Sequence, residues 1–209
     1  MATIRSTVLP AFEIGPAWEI ARLFPNQGYI SEGDYLRLTD HSRRLAEFTD
    51  GKIEVLPMPT VEHQRIVLYL VNFVRAFILP RNLGEALMAG VRVKTADRQY
   101  REPDVVFLRK SRALKQGNRY WESIDLAMEV VSEDDPDRDL IEKRRDYAAA
   151  GIAEYWIVDP RDQSIKVLQL KRGKYAVHSE AKRAGQVRSA LLKGFTADVA
   201  AVFAAGKNG

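Results

Sequence analysis

The sequence predicts a mixed α/β domain in which a central sheet is flanked by helices. The clearest helix runs over residues 60–79, where apolar residues recur at helical spacing around most of the circumference. The clearest strands are short and almost wholly apolar, which is typical of strands buried on both faces. A helix followed by strands, a second helix and a further strand is the order of a sheet with helices packed on it. The remaining segments are predicted strands at 86–94, 103–108 and 124–131, a helix at 137–151 and a strand at 154–160.

The composition excludes several classes of protein. Of the 209 residues, 46% are hydrophobic and 29% are charged, which are ordinary values for a folded globular domain. The chain has no cysteine, which excludes disulfide scaffolds, zinc fingers, iron–sulfur clusters and thiol nucleophiles. No run approaches the roughly 18 apolar residues of a membrane span, and prolines interrupt the apolar N-terminus where a signal peptide would be continuous. We therefore expect a cytoplasmic protein that does not enter a membrane.

The domain organisation is expected to be simple. Residues 1–30 contain five proline or glycine breakers, which predicts an irregular N-terminal arm. We find no internal repeat, low-complexity tract or flexible linker after it, so we expect one domain over residues 31–209. A hairpin is also expected over residues 165–178, where two strand segments flank Arg172-Gly173.

A second hairpin is predicted near the start of the domain, after a short helix that Ser31 can cap. Asp50-Gly51 lies between two alternating segments, which is the strongest short-range hairpin signal. Glu47 and Glu54 should then lie on neighbouring paired strands.

The first turn of the long helix, after the Thr60 cap, carries Glu62 and His63. Glu62 has a sufficient structural reason to be there, because an acidic side chain stabilises the positive end of a helix. His63 precedes the core position Ile66 by three residues and can face inwards or outwards.

Asp104 and Glu129 are the strongest candidates for chemistry. Each lies in a strand whose other residues are almost all apolar, where an ionised carboxylate costs several kcal/mol unless it is paired or coordinated. Two such groups on adjacent strands would repel one another, which invites a divalent cation, and oxygen ligands favour Mg²⁺ or Mn²⁺ over zinc. The structural alternative is that each carboxylate caps a strand end or pairs with one of the many arginines, among them Arg92, Arg101 and Arg109.

Lys143 is the third candidate. On a regular helix with about 100° per residue and Leu140 at zero, Lys143 falls at about 300°, at the border of the inward stripe and beside Tyr147. From there its ammonium could contact a phosphate or orient a water. Arg144, at about 40°, lies nearer the middle of the stripe, so it is an alternative inward cation. A charged, solvated helix surface is the third interpretation.

Other common chemistries lack their motifs. We find no phosphate-binding loop and no dinucleotide-binding glycine fingerprint, which argues against nucleotide-driven and hydride-transfer reactions. A serine-based triad is unsupported because no Gly-x-Ser-x-Gly sequence is present.

The positive charge is concentrated near the C-terminus. Residues 161–193 contain nine Lys or Arg against two acidic residues, a net +7 that leaves −3 for the rest of a chain whose total is +4. A basic segment beside an acidic body could contact the phosphate backbone of a nucleic acid, through Lys171, Arg172 and Lys174 at the hairpin turn. The alternative is a solvated hairpin whose lysines protect an edge strand.

Six motifs in this order resemble the Uma2 family, which is described as restriction-endonuclease-like, over roughly residues 31–180. They are Asp50-Gly51-Lys-Ile-Glu54, Glu62-His63-Gln64, Pro103-Asp104-Val-Val, Met128-Glu129-Val-Val-Ser132, Arg138-Asp-Leu-Ile-Glu-Lys143 with Tyr147 four residues later, and Ala150-Gly151-Ile-Ala-Glu154-Tyr-Trp-Ile-Val-Asp-Pro160. The last is the most specific. The resemblance implies the PD-(D/E)xK nuclease fold, a mixed sheet flanked by helices with a carboxylate cluster that binds Mg²⁺. In that superfamily a lysine stands two residues after the second acid, where this chain has Val131, so Lys143 would supply the cation from the following helix.

The function that this resemblance implies is Mg²⁺-dependent hydrolysis of DNA phosphodiester bonds. Asp104 and Glu129 would hold the metal and Lys143 would stabilise developing charge. Glu54 is the first choice to complete the catalytic set, with Glu62, His63 and Glu47 as further candidates. A homodimer is expected by analogy, since double-strand cleavage needs two sites. Two alternatives stay open, namely a catalytically inactive module that binds nucleic acid or assembles, and a hydrolase of smaller phosphodiesters.

Overall fold

The computed structural model describes residues 26–42, 44–113, 116–133 and 135–207. The chain forms two units, which divide between Leu56 and Pro57. Most of the arm expected at residues 1–30 lies outside the described residues, and the single domain expected over 31–209 stays a prediction. No helix in the described ranges is long and apolar enough to cross a membrane.

In its described residues, the N-terminal unit contains one helix and one hairpin, both as predicted. Helix α1 (Glu32–Asp40) begins where the Ser31 hydroxyl accepts a hydrogen bond from the Asp34 N–H. Strands β1 (Ala46–Thr49) and β2 (Lys52–Val55) pair antiparallel, and their register sets Glu47 opposite Glu54.

The turn of this hairpin depends on Asp50-Gly51. Both residues have positive φ, 45° and 83°, as this type of tight turn requires. A Cβ on Gly51 would lie 2.5 Å from the Gly28 carbonyl oxygen, so close backbone approach requires glycine there as well.

The second unit is built on a six-stranded mixed sheet. Its strands are β3 (Gly84–Met88), β6 (Val105–Arg109), β7 (Leu126–Val130), β8 (Glu154–Asp159), β9 (Ser164–Lys171) and β10 (Lys174–Lys182). Their order across the sheet is β10-β9-β8-β7-β6-β3, and only β7 and β8 are parallel, whereas every other neighbouring pair in this sheet is antiparallel. Two further antiparallel pairs lie outside this sheet, namely β4 (Val93–Ala96) with β5 (Gln99–Arg101), and β11 (Gln186–Arg188) with β12 (Thr196–Asp198). The short helix α3 (Lys110–Ala113) follows β6.

Helices cover both faces of this sheet. On one face, helix α2 (Val61–Ile78) and helix α5 (Val199–Gly206) bury an apolar core with the side chains of β6, β7 and β8. On the other face, helix α4 (Lys143–Ala149) follows a π-helical turn at Arg138–Glu142, and Tyr147 of α4 packs against a second core. Because side chains alternate along a strand, every central strand contributes to both cores, which explains why most residues of these strands are apolar.

The predicted boundaries of the long helix are confirmed. The Thr60 hydroxyl accepts a hydrogen bond from the His63 N–H at 3.1 Å, and α2 ends at Ile78, two residues before Pro80. The hairpin at Arg172-Gly173 is also confirmed, since both residues have positive φ and join β9 to β10.

Two predicted segments differ from the structure. The single strand expected at 86–94 is two strands, β3 and β4, because the chain turns at Gly90. The φ of Gly90 is 102°, a value that residues with a side chain rarely adopt. The helix expected at 137–151 is not a regular α-helix, because its first part is the π-helical turn. It ends as predicted at Gly151, whose φ is 75° and whose N–H donates to the Ala148 carbonyl.

Glu154 at the start of β8 is a fully buried carboxylate with four donors. Its oxygens accept hydrogen bonds from Trp156 Nε1 at 2.6 Å, Ser189 Oγ at 2.7 Å, and the backbone N–H groups of Ala190 and Leu191 at 2.6 and 2.8 Å. The carboxylate therefore ties the turn that follows β11 to the centre of the sheet.

We expect Glu154→Gln to lower the free energy of unfolding by about 3 kcal/mol, since the amide NH₂ would face buried donors that lose their acceptor. Urea unfolding measures the change, and Glu180→Gln is the control because Glu180 makes only an exposed 3.4 Å contact with Lys166. Equal effects of the two substitutions would contradict the structural role given to Glu154.

Candidate active site

The sheet register brings the two predicted carboxylates together. Asp104 directly precedes β6, and Glu129 is the fourth residue of β7. The antiparallel register pairs Val105 with Met128, so one residue further along Asp104 falls opposite Glu129. Alternation along the strands directs both side chains to the face that α4 covers.

Asp104 is held by one of its two carboxylate oxygens. Oδ2 accepts a hydrogen bond from the Val130 backbone N–H at 2.8 Å and lies 3.2 Å from Nε2 of His63. Oδ1 has no partner among the described residues, and the side chain is about one sixth exposed. No arginine of the described chain pairs with Asp104, so the arginine alternative fails for this residue.

Glu129 is almost completely buried and both its oxygens are occupied. Oε1 accepts a hydrogen bond from the Tyr147 hydroxyl at 2.5 Å, and Oε2 lies 2.9 Å from Nζ of Lys143. The same ammonium lies 3.1 Å from Oδ1 of Asp139. One buried lysine therefore faces two buried carboxylates.

The electrostatics of the site favour uptake of positive charge. Burial raises the pKa of Glu129 to about 8, and the negative charges of Asp104 and Asp139 act in the same direction, against the opposing effect of Lys143. Burial disfavours the charged imidazole of His63, but the hydrogen bond and the charge of Asp104 outweigh it and raise the His63 pKa. A proton held by Glu129 therefore offsets part of the negative charge of the cluster.

Lys143, and not Arg144, points inwards. Lys143 is buried, whereas Arg144 is exposed and its guanidinium reaches the Tyr175 carbonyl at 3.4 Å. A regular helical wheel could not decide between Lys143 and Arg144 as the inward cation, because the chain makes a π-helical turn here. In this turn the Lys143 N–H donates to the Arg138 carbonyl five residues back. Ile141, within the same turn, is exposed.

Val131 is buried in the apolar core beside the site. The position that carries lysine in the superfamily pattern is therefore apolar here, while the ammonium of Lys143 reaches Glu129 from α4. The catalytic role of Lys143 stays a prediction.

The other predicted acidic residues lie elsewhere. Glu62 is exposed, packs its Cγ beside Gly206 at the end of α5 and makes no hydrogen bond or ion pair with any described residue. Glu47 is buried and Glu54 is exposed on the hairpin of the N-terminal unit, and their part in the site stays a prediction.

Asp139 and Tyr147 are site residues to which the sequence reasoning gave no role. Both lie four residues from Lys143, and an acid four residues before a lysine is a helix-pair signal that could have found Asp139. Its backbone is also fixed, because the Tyr155 hydroxyl donates to the Asp139 carbonyl at 2.9 Å.

The donor set suits a hard cation, although it is not a complete cage. Within the described ranges, no three His, Asp or Glu side chains are arranged to hold a metal. Oδ1 of Asp104 is nevertheless an open carboxylate oxygen opposite the acidic Glu129, and carboxylates are the ligands that Mg²⁺ and Mn²⁺ prefer.

The predicted basic residues lie at the tip of the β9–β10 hairpin. Lys171, Arg172 and Lys174 are exposed and form no ion pair with the described part of the chain. They are therefore available to an external polyanion.

The family model described as "Putative restriction endonuclease" matches residues 33–200. The chain belongs to the Uma2 family. A crystal structure titled as a putative nuclease belonging to DUF820, from Anabaena variabilis, superposes with a TM-score of 0.68 at 17% identity, over 82% of this chain and 98% of that chain. Comparison with curated proteins finds no match. The restriction-endonuclease-like fold and the Uma2 assignment expected from the sequence are thus confirmed.

We expect the metal-free protein to lose stability as the pH rises from about 4.5 to about 8. The Glu129 pKa is raised from 4.5 to about 8, so the folded state holds this proton more tightly than the unfolded chain, and the advantage disappears as the carboxyl ionises. His63, whose pKa is also raised, contributes with the same sign.

Urea unfolding in the presence of a chelator measures this pH dependence. Glu129→Gln should flatten it, leaving the His63 contribution, whereas Glu180→Gln should not. A Glu129→Gln profile as steep as that of the wild type would contradict the prediction.

Proposed function

We propose that this protein is a metal-dependent endonuclease that hydrolyses DNA phosphodiester bonds. The observation that supports this most is the buried ammonium of Lys143, 2.9 Å from Glu129 and on the side of the sheet where Asp104 faces it. Two acids and a lysine in this arrangement are the chemical set that a PD-(D/E)xK nuclease needs. Membership of a family described as restriction endonucleases supports the same activity.

Asp104 and Glu129 are the residues that would hold Mg²⁺ or Mn²⁺. The bound ion would polarise a phosphoryl oxygen and lower the pKa of a coordinated water. Asp104 offers Oδ1, which has no partner among the described residues. Glu129 would offer an oxygen by giving up one of its contacts, and ionisation of its carboxyl at neutral pH requires the added positive charge.

The neighbouring residues prepare the site for a phosphate. Lys143 would stabilise the negative charge that develops on the phosphoryl group, while Asp139 fixes the direction of its ammonium. Tyr147 orients Glu129 through its hydroxyl and is held edge-on against Tyr155, with ring centroids 5.1 Å apart. These contacts fix the functional groups before substrate binds.

Lys171, Arg172 and Lys174 would contact the DNA backbone without reading its sequence. We also propose that the protein works in the cytoplasm as a homodimer, because cleavage of both strands of a duplex needs two such sites.

A second candidate is a nuclease-fold module that binds nucleic acid without cleaving it. The observation that favours it is that both Glu129 oxygens are already occupied, by Tyr147 and Lys143. Cleavage assays separate the two candidates.

We expect Asp104→Asn, Glu129→Gln and Lys143→Met each to reduce Mg²⁺- or Mn²⁺-dependent plasmid cleavage by roughly 10²-fold or more, since each removes a preorganised charge. Lys182→Met is the matched control because Lys182 pairs with Asp162 on the surface. DNA binding by wild type without cleavage in any divalent metal would support the inactive module instead.

Neutralising Lys171, Arg172 and Lys174 to Gln should weaken DNA binding and reduce the slope of log affinity against log salt by about 2 to 3, since each phosphate contact releases counterions. The same change at the exposed residues Lys110, Lys182 and Lys207 is the control for total charge. Fluorescence anisotropy over a salt series measures both, and equal slopes for the two triple variants would exclude the hairpin as the contact.

A further inference from the structure

Asp104 is oriented by two donors that act on a single oxygen. The Val130 N–H and Nε2 of His63 both face Oδ2, at 2.8 and 3.2 Å, whereas Oδ1 has no described partner. Two donors on one oxygen fix the plane of the carboxylate and leave the other oxygen open.

We infer that His63 is the positioning residue of Asp104, fixing Oδ2 so that Oδ1 is presented to a divalent cation. This inference rests on the proposed function, since it concerns the same metal site. Side chains that hold the ligands of a metal typically change its affinity 10- to 100-fold when they are removed, because the ligand must otherwise be ordered on binding.

His63 acts through Asp104 and not on substrate directly. Its Nδ1 is buried and has no hydrogen-bond partner among the described residues, so the ring offers no second polar atom to an incoming phosphate. Nε2 is the nitrogen that faces the carboxylate, so it must carry the proton and donate it to Oδ2.

The sequence places His63 rigidly for this role. The Thr60 hydroxyl accepts a hydrogen bond from the backbone N–H of His63, so His63 belongs to the capped first turn of α2. That helix is anchored by Ile66 and Leu70, both fully buried in the core. The side chain therefore approaches Asp104 from a fixed helix end.

The test compares a variant that keeps the donor with one that removes it. The amide NH₂ of His63→Gln can replace Nε2–H, whereas His63→Met retains volume without a donor. Gln64→Met is the matched control on the same helical turn, where Gln64 is exposed. Binding of Mn²⁺ alone, followed by the electron paramagnetic resonance signal of the free ion, measures affinity without requiring activity.

We expect the Mn²⁺ dissociation constant to rise 10- to 100-fold in His63→Met and to stay within about threefold of wild type in His63→Gln and Gln64→Met. Unchanged affinity in His63→Met, with loss of binding in Asp104→Asn, would overturn the inference and leave the proposed function intact. A wild type that binds no Mn²⁺ would overturn both.

Nitrogen-15 resonances of the wild-type imidazole provide a second readout that does not depend on a variant that folds. We expect Nε2 to carry the proton in the neutral ring, and Asp104→Asn to shift that resonance while leaving His41 and His178 unchanged. A neutral His63 protonated at Nδ1 would overturn the inference.

Discussion

The contact between the ammonium of Lys143 and the carboxylate of Glu129 is the interaction on which the site depends. Both groups are buried, and removing either charge from water costs several kcal/mol that only close pairing can offset. Asp139 supplies a second carboxylate to the same ammonium. Ionisation of Glu129 would add a negative charge to a buried cluster that already holds Asp104 and Asp139, which is the electrostatic basis for expecting a cation to accompany it.

The fold explains how these charges come to be buried together. The antiparallel register of β6 and β7 places Asp104 opposite Glu129, and the parallel partner β8 keeps β7 in the centre of the sheet. The π-helical turn then delivers Lys143 from the helix that covers this face. A π-helical turn is rare and recurs at functional sites, because one extra residue rotates the side chains that follow it.

The presence of the lysine on a helix, and of valine at position 131, has a consequence for packing. Val131 occupies the strand position that carries lysine in the superfamily pattern, and it completes the apolar core under α4. The ammonium of Lys143, 12 positions further along the chain, reaches Glu129 from α4. Similarity of structure at 17% identity shows that the fold, and not the detailed sequence, is what this chain shares with the Anabaena variabilis nuclease-like protein.

The sequence by itself determined the elements whose signals are local. The Thr60 cap, the Asp50-Gly51 turn and the apolar pattern of β6, β7 and β8 depend on neighbouring residues, and each was predicted with the correct type. Asp104 and Glu129 were also proposed as site residues from the sequence, because a charged residue stands out in an otherwise apolar strand. Only the tertiary structure decided which helix cation faces Glu129, that Asp139 joins it and that His63 faces Asp104. Those contacts depend on an irregular turn and on the register between distant segments, and neither leaves a periodic signal in the chain.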